Sequence, residues 1–294
     1  MILIKTFTHI NTLVLVLTAL ALLSSCKKSE NPEPVPESIP IQISIFKAAG
    51  NTFETGDNVG VFVTNESNEL LPNGNHIDNG KFTFDGITWN AESGLYWLDA
   101  TTKANFYCYY PYTSSVPSTT AFPFNVSKDQ RSERSYKASD FMWGKVTGVT
   151  PTPNPVNITA GHRMSCLIVN INAGTDGEEE NIQNANVTLC GLRTSAQVNL
   201  TDGNVTANGN ASEIRPFKFS HETYKAMVVP QTVSDTELVK LEIGDNTYII
   251  KTTINLESGK QHTCTIDVNQ SSEGINVRIG PWETDDYDYG GTVE

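Results

Sequence analysis

The sequence contains few of the patterns that mark an enzyme or a metal site. It has no GxSxG motif, no HExxH motif and no glycine-rich phosphate loop. None of its five cysteines forms a CxxC pair, and its five histidines have no metal-ligand spacing. A glycosidase would need a carboxylate pair, and none stands out in a chain this acidic. We therefore expect a protein without catalytic activity, metal or cofactor.

Two acidic runs are the sharpest charge clusters, DGEEE at 176–180 and ETDDYDYGG at 283–291. In the second run Asp286 and Asp288 alternate as calcium ligands can, but the rest departs from an EF-hand loop. A calcium loop and a solvated charged loop are the two interpretations, and we favour the solvated loop.

Long hydrophobic runs are also absent. The longest, Thr12–Leu23, has 12 residues, whereas a membrane-spanning helix needs about 20. This run follows Lys5 and precedes Leu23-Ser24-Ser25-Cys26, which resembles a bacterial lipobox. The pattern predicts a lipoprotein signal peptide over residues 1–25 and lipidation at Cys26. An ordinary signal peptide with an unrelated cysteine is the alternative.

Residues 26–38 are charged and rich in proline and serine, which predicts a flexible tether. Lys5 is the one charged residue of the first 25, so the net charge of −13 becomes −14 after their removal. Such an acidic surface repels nucleic acid and anionic lipid headgroups, so we expect neither as a partner. Membrane attachment would come from acyl chains on Cys26.

Helical periodicity is missing from every long stretch, and short alternating apolar runs are separated by turn sequences such as NGN, DNG and TDGN. The pattern predicts an all-β chain of β-sandwich architecture. The length suits two domains, 39–176 and 177–294, divided within the polar stretch 173–184. The predicted strands are 58–63, 81–84, 95–98, 105–110, 164–171, 186–192, 224–230, 238–243, 247–256, 262–268 and 275–279.

Four cysteines remain beside Cys26, and all have strand-like apolar surroundings: Cys108, Cys166, Cys190 and Cys264. An exported chain could pair them, but burial as small apolar side chains is an equal or better expectation. The run NFYCYYPY places Phe106, Cys108 and Tyr110 on one face of a strand and Tyr107 and Tyr109 on the other. We expect this strand to be covered on both faces, in preference to a sugar-stacking platform. His162 is expected to be a structural, hydrogen-bonding histidine.

Several stretches together resemble the fimbrillin (Mfa-like) family, the lipoprotein pilins of type V pili in Gram-negative anaerobes. They follow the family's order from about Phe53 to Trp282, and the stretches are FETGDNVGVFV (53–63), YWLDATTKANFYCYYPY (96–112), ASDFMWG (138–144), ITAGHRMSCLIVNI (158–171) and LESGKQHTCTIDV (256–268) with INVRIGPW (275–282). The resemblance implies two β-sandwich domains of transthyretin-like topology and no catalysis. It also implies export as an outer-membrane lipoprotein that reaches the cell surface.

The resemblance further implies assembly with other fimbrial subunits by strand exchange. A trypsin-like protease removes the N-terminal segment with its first strand, and the vacated groove accepts a strand from another subunit. In this sequence the first strand is IPIQISIF, in which Ile41, Ile43 and Ile45 alternate with polar residues, while Ile39 and Phe46 extend its apolar character. Burial of three or four such side chains stabilises by about 1.5–3 kcal/mol each.

Lys47 stands where the family commonly has a basic residue, and no arginine occurs between Cys26 and Arg131. Cleavage is therefore predicted between Lys47 and Ala48. The alternative is an uncut subunit that stays lipid-anchored and serves as a pilus anchor or a plain surface lipoprotein. The donated strand is undecided, because the 12 residues after Trp282 alternate poorly. Either INVRI with its flanks is the donor, or this subunit receives a strand without donating one.

A second function of another class is a surface glycan-binding lipoprotein of a nutrient-uptake system. It would stack sugars on Trp89, Trp97 or Tyr109. The sequence does not separate shaft, tip and anchor roles, and it names no host or bacterial surface ligand.

Overall fold

Strands dominate the computed structural model, which describes residues 38–48, 52–173, 182–271, 274–279 and 283–286. Side chains are described as far as Val268. One helix of six residues, α1 (Glu133–Ala138), lies between the sixth and seventh strands in this part of the chain. The strands are β1 (Ile43–Lys47), β2 (Asn58–Asn65), β3 (Ile77–Phe84), β4 (Trp89–Ala91), β5 (Ala104–Tyr110), β6 (Phe122–Asn125), β7 (Met142–Val149), β8 (Val156–His162), β9 (Ser165–Ala173), β10 (Asn186–Val198), β11 (Val205–Ile214), β12 (Phe217–Lys218), β13 (Thr223–Val228), β14 (Gln231–Ile243), β15 (Asn246–Leu256), β16 (Lys260–Ser271), β17 (Gly274–Ile279) and β18 (Glu283–Asp286).

A seven-stranded sheet with the order β1-β8-β7-β5-β2-β3-β4 contains the first strand. Its neighbours are antiparallel except for β1 and β8, which are parallel. The sheet curls around a hydrophobic core to which all seven strands contribute. Its two outer strands, β1 and β4, lie close together, as a hydrogen bond from the indole N–H of Trp89 on β4 to the carbonyl of Ile45 on β1 shows.

Alternation along the central strands covers this sheet on both faces. On β5, Phe106 and Cys108 enter the core inside the curl, while Tyr107 and Tyr109 enter a second, larger core. Tyr110 packs against the first core. The expectation that NFYCYYPY is covered on both faces is thereby confirmed.

The larger core lies between two further sheets. One has the order β11-β10-β14-β15 with β6 also paired to β10, and the other has the order β12-β13-β9-β16-β17 with β18 also paired to β16. Within the second sheet β9 and β16 are parallel, and the remaining pairs of these two sheets are antiparallel. Side chains of both sheets meet in this core, together with Phe62 and Tyr109 from the outer face of the curled sheet.

The predicted all-β fold is confirmed, but several local predictions are wrong. LYWL at 95–98 forms no strand and carries one isolated bridge, from Tyr96 to Pro40. Glu283–Asp286, expected to be a solvated loop, is β18 and pairs with β16. Six further strands were not predicted. Three of them have four residues or fewer, β4, β6 and β12, and β11 is polar. The other two are β7 and β8.

The predicted division into two domains stays a prediction, since its boundary at 176/177 lies outside the described residues. Ser38–Glu294 forms one compact unit. β9 precedes the predicted boundary yet shares its sheet with β16, and its side chains enter the larger core. Among the described residues, no helix has the length and apolar character required to span a bilayer.

Candidate functional site

The first strand, β1, lies at one end of the curled sheet. It runs parallel to β8 with Ile43 opposite Val156 and Lys47 opposite Ala160. The pairing extends beyond both ends of the strand, since Val156 N–H donates to Gln42 O at 2.8 Å and Ala48 N–H donates to Ala160 O at 3.0 Å. Among the described strands β1 has no second ladder, so it is an edge strand.

The segment before β1 is held on its other side by residues 95–97. Ile41 N–H donates to Leu95 O at 2.8 Å, and Trp97 N–H donates to Ile39 O at 2.9 Å. Residues 95–97 of LYWL therefore hold the start of the segment by two backbone hydrogen bonds, although they form no strand, and we call them the 95–97 clasp. The segment is hydrogen-bonded to residues 95–97 at Ile39 and Ile41, and to β8 from Gln42 onward.

The isoleucines of this segment complete the smaller core, as their alternation predicted. Ile41, Ile43 and Ile45 are 6%, 4% and 5% exposed. Ile39 packs against the same core while partly exposed, whereas Phe46 points outward and is 56% exposed. The three central residues therefore contribute apolar burial, and Phe46 does not.

A groove of about 680 Å³ runs between β1 and the β3–β4 hairpin. Aromatic side chains form much of its wall, namely Phe53, Phe82, Phe84 and Trp89. Across this groove the Trp89 indole N–H lies 3.3 Å from the Ile45 carbonyl oxygen. Phe84 lies against Trp89 with ring centroids 5.2 Å apart, and Phe53 meets it edge-on at 4.9 Å.

The predicted cleavage site lies at the end of this groove. Lys47 is half-buried, and its Nζ lies 4.7 Å from the centre of the Phe53 ring, a cation–π contact. Ala48 is exposed, and residues 49–51 lie outside the described residues. Cleavage at this bond stays a prediction. Lipidation of Cys26, the signal peptide and the tether through residue 37 also lie outside the described residues and stay predictions.

No disulfide joins the four cysteines that the structure describes. Cys108, Cys166 and Cys264 are buried and Cys190 is half-buried. Burial raises the pKa of the Cys264 thiol to about 11, and it also raises the pKa of the Cys108 thiol. Protonated, buried thiols of this kind act as small apolar side chains, as the sequence favoured.

The rings considered for sugar stacking are core residues. Trp97, Trp89 and Tyr109 are 5%, 8% and 1% exposed. Their polar atoms are also engaged, since Trp97 Nε1–H donates to Thr152 O and Tyr109 OH donates to Asn79 Oδ1. A stacking platform needs an exposed ring face, so the proposed sugar platform is wrong for all three.

His162 is structural, as predicted, although it ends β8 and does not start a strand. Its Nδ1 lies 2.9 Å from Asp140 Oδ2, and both residues are buried. Asp140 was not anticipated, because it lies 22 residues away in sequence. Phe53 and Trp89 were likewise not predicted as contacts of β1, because the alternation of a strand does not show which other residues will pack against it.

Comparison with known proteins places these features in a family. A family model described as fimbrillin-like matches residues 47–282. A candidate fimbrium tip subunit, Fim1C of Bacteroides ovatus, is 28% identical over 133 residues, which are 41% of this chain and 24% of that protein. The chain thus spans about a quarter of the length of this curated relative.

Solved structures share the fold. A candidate cell adhesion protein from Bacteroides uniformis has a TM-score of 0.68 at 19% identity, over 86% of this chain and 99% of its own. A second one, from Bacteroides ovatus, has a TM-score of 0.68 at 21% identity, over 86% and 98%. A fimbrial protein from Bacteroides ovatus has a TM-score of 0.55 at 17% identity, over 78% of this chain and 48% of its own. At these identities the likeness establishes the fold.

Proposed function

Because this chain belongs to the fimbrillin-like family, we propose that it is a fimbrial subunit that assembles by exchange of its first strand. It is exported as an outer-membrane lipoprotein through Cys26 and matures at the cell surface. Its partners are other fimbrial subunits.

The observation that carries this proposal is the place of β1 in the fold. It is an edge strand in a parallel pair with β8, and three of its segment's isoleucines fill the smaller core. It is also the first strand of the described structure, so one cut after Lys47 separates it covalently from every other described strand.

The cut itself is a hydrolysis. A trypsin-like protease adds water across the Lys47–Ala48 amide, which leaves a carboxylate on Lys47 and an amine on Ala48. The segment Ile39–Lys47 is then held by hydrogen bonds and apolar contacts alone. Its departure exposes an apolar groove and the free edge of β8, which together can accept a new strand.

An incoming strand would replace what β1 supplied. It needs apolar side chains at alternate positions to fill the places of Ile41, Ile43 and Ile45, each of which contributes about 1.5–3 kcal/mol of burial. Donor and acceptor surfaces differ, so the contact is heterologous and extends into a filament. The strand that this subunit donates is β17 with its flanks, or the subunit receives a strand without donating one.

Limited trypsin treatment of the purified full chain tests the proposal. We expect a new N-terminus at Ala48 by mass spectrometry, followed by uptake of a fluorescent peptide with the sequence of residues 39–47. The Lys47→Gln variant should stay uncut there and take up no peptide. The proposal fails if protein sheared from cells still begins at Cys26, or if the cut protein neither takes up peptide nor forms oligomers.

A further inference from the structure

We propose that Trp89 and Phe53 form a latch that holds β1 and shields the Lys47–Ala48 bond from proteolysis. The inference rests on the proposed function, because it concerns how the cut at Lys47 is controlled. The latch is defined as the Trp89 side chain on Ile45 O together with the Phe53 ring on Lys47 Nζ.

The register of β1 decides which of its backbone groups a protease could reach. In a parallel ladder, alternate residues of one strand make all the hydrogen bonds to its neighbour. Gln42 O and Ala48 N–H bond to β8, so the even-numbered residues face β8. The backbone groups of Ile43, Ile45 and Lys47 therefore face the groove.

These outward residues are the ones that a trypsin-like protease uses. Such a protease binds the residues before the cut as an added antiparallel strand, pairing with the first and third residues before the bond. For the Lys47–Ala48 bond, these are Lys47 and Ile45. The geometry of β1 thus presents the correct backbone edge to a protease, provided that edge is vacant.

The edge is occupied at Ile45. The Trp89 indole N–H lies 3.3 Å from Ile45 O, on the side where a protease strand would pair. Trp89 is 8% exposed, and both Phe84 and Phe53 pack against its ring, with centroid distances of 5.2 Å and 4.9 Å. Because Phe53 contacts the ring, movement of Trp89 away from Ile45 would disturb Phe53.

The side chain that the protease must bind is occupied as well. Lys47 Nζ lies 4.7 Å from the Phe53 ring centre, and Phe53 is 5% exposed. Cleavage requires this ammonium to extend into the acidic specificity pocket of the protease. Phe53 also packs edge-on against Tyr110, 5.8 Å away, which fixes its ring beneath the lysine. One aromatic cluster therefore restrains both contacts that the protease needs.

Initial rates of trypsin cleavage at Lys47 test the latch, with cleavage at the exposed Arg131 measured in the same digest. Loss of the ring in Phe53→Leu should raise the Lys47 rate by about threefold to thirtyfold, the factor that a lost cation–π contact implies. Trp89→Phe keeps an aromatic ring but removes the indole N–H that donates to Ile45 O, and it should raise the rate of cleavage at Lys47 by about twofold to tenfold.

Two controls separate the latch from general loosening of the fold. Phe53→Tyr keeps an aromatic ring beneath Lys47, so its rate of cleavage at Lys47 should stay as slow as that of the unaltered protein. Tyr112→Leu removes a comparable ring, which lies 5.7 Å from Lys81 Nζ, and should leave the Lys47 rate unchanged. The rate at Arg131 should be constant in all variants.

The outcomes are distinguishable. Equal Lys47 rates in all variants, or rates at Lys47 and Arg131 that rise together, overturn the latch and leave the proposed function in place. Absence of any cut at Lys47 in every variant, while Arg131 is cut, contradicts the proposed function as well.

Discussion

Two edge strands, β1 and β15, show how differently one chain secures its sheet borders. β15 has 11 residues and pairs antiparallel with β14 across the tight turn at Gly244 and Asp245. β1 has five residues and pairs parallel with β8, which begins more than a hundred positions later in the sequence. A parallel pair cannot be joined by a hairpin, so nothing local holds β1 to its neighbour.

The difference shows that the ease with which an edge strand can be removed depends on how the strand is joined to the chain, as well as on the area that it buries. A cut in the β14–β15 turn would leave both strands joined to the chain at their other ends. A cut after Lys47 detaches β1 from all the other described strands. Yet β1 contributes more to its core for its length, since Ile43 and Ile45 are both fully packed. The two edges can be compared directly by substitution.

The largest expected effect comes from shortening matched isoleucines on the two edges. Ile45→Ala on β1 should lower the free energy of unfolding by about 2–5 kcal/mol, because it removes buried atoms and leaves a cavity. Ile249→Ala on β15 should change it by less than about 0.5 kcal/mol, since that side chain is 46% exposed. Urea unfolding followed by tryptophan fluorescence measures both. Equal losses would contradict the assignment of β1 to the core.

Two glycine substitutions, with a smaller expected effect, test whether the pairing of β1 depends on the position of β8. Gly144 on β7 lies so close to β8 that an added Cβ would overlap the carbonyl oxygen of Thr159. Gly144→Ala should therefore displace β8 and cost about 1–3 kcal/mol. In Gly161→Ala, on β8 itself, the new Cβ meets nothing closer than 3.9 Å.

Hydrogen exchange of the Ser44 and Phe46 amides provides the measurement for this pair. Exchange should accelerate in Gly144→Ala and stay near the wild-type rate in Gly161→Ala. If the two variants exchange alike, β1 is independent of its neighbour's position.

The smallest effect concerns the turn of the β3–β4 hairpin. In the β3–β4 turn, Asp85 accepts from the backbone N–H groups of Thr88 and Ile87 and from Asn90, which lowers its pKa from 3.8 to about 2. Its folded pKa is depressed, so its stabilising contribution is complete above pH 3.8 and is lost as pH falls through about 2.

Carbon-13 NMR titration of the Asp85 carboxyl checks this value directly. Asp85→Asn should remove the corresponding acid-dependent part of the stability. A titration midpoint of Asp85 near 4 would contradict the hydrogen-bonded turn.

Alternation was the part of the sequence that predicted most. It gave the all-β class, the two covered faces of β5, and the burial of Ile41, Ile43 and Ile45, since a strand's period of two assigns each residue to a face. It missed β11, whose sequence VTANGNASEI is polar because most of that strand is exposed. It also missed α1, which has six residues and is too short for a helical period to be visible.

Long-range contacts explain the remaining errors. LYWL is apolar and aromatic, as many strands are, but the Trp97 ring packs on Phe106 and the backbone of the segment bonds to Ile39 and Ile41 without forming a strand. Trp89 was considered as an exposed ring because nothing in the neighbouring sequence reveals that β1, 44 positions earlier, covers it. Such contacts depend on which strands become neighbours, and local patterns do not encode that order.

The chain direction of β1 has one further consequence, for the geometry of a polymer. The β1 segment starts with Ile39 at residues 95–97 and ends with Lys47 at Phe53, and these ends are about 26 Å apart at roughly 3.3 Å per residue. A replacement strand that keeps the parallel direction would place its own preceding residues at the clasp. One that enters antiparallel would place them at Phe53 instead. The direction in which one nine-residue strand inserts would therefore decide at which end of the groove the rest of the neighbouring subunit lies.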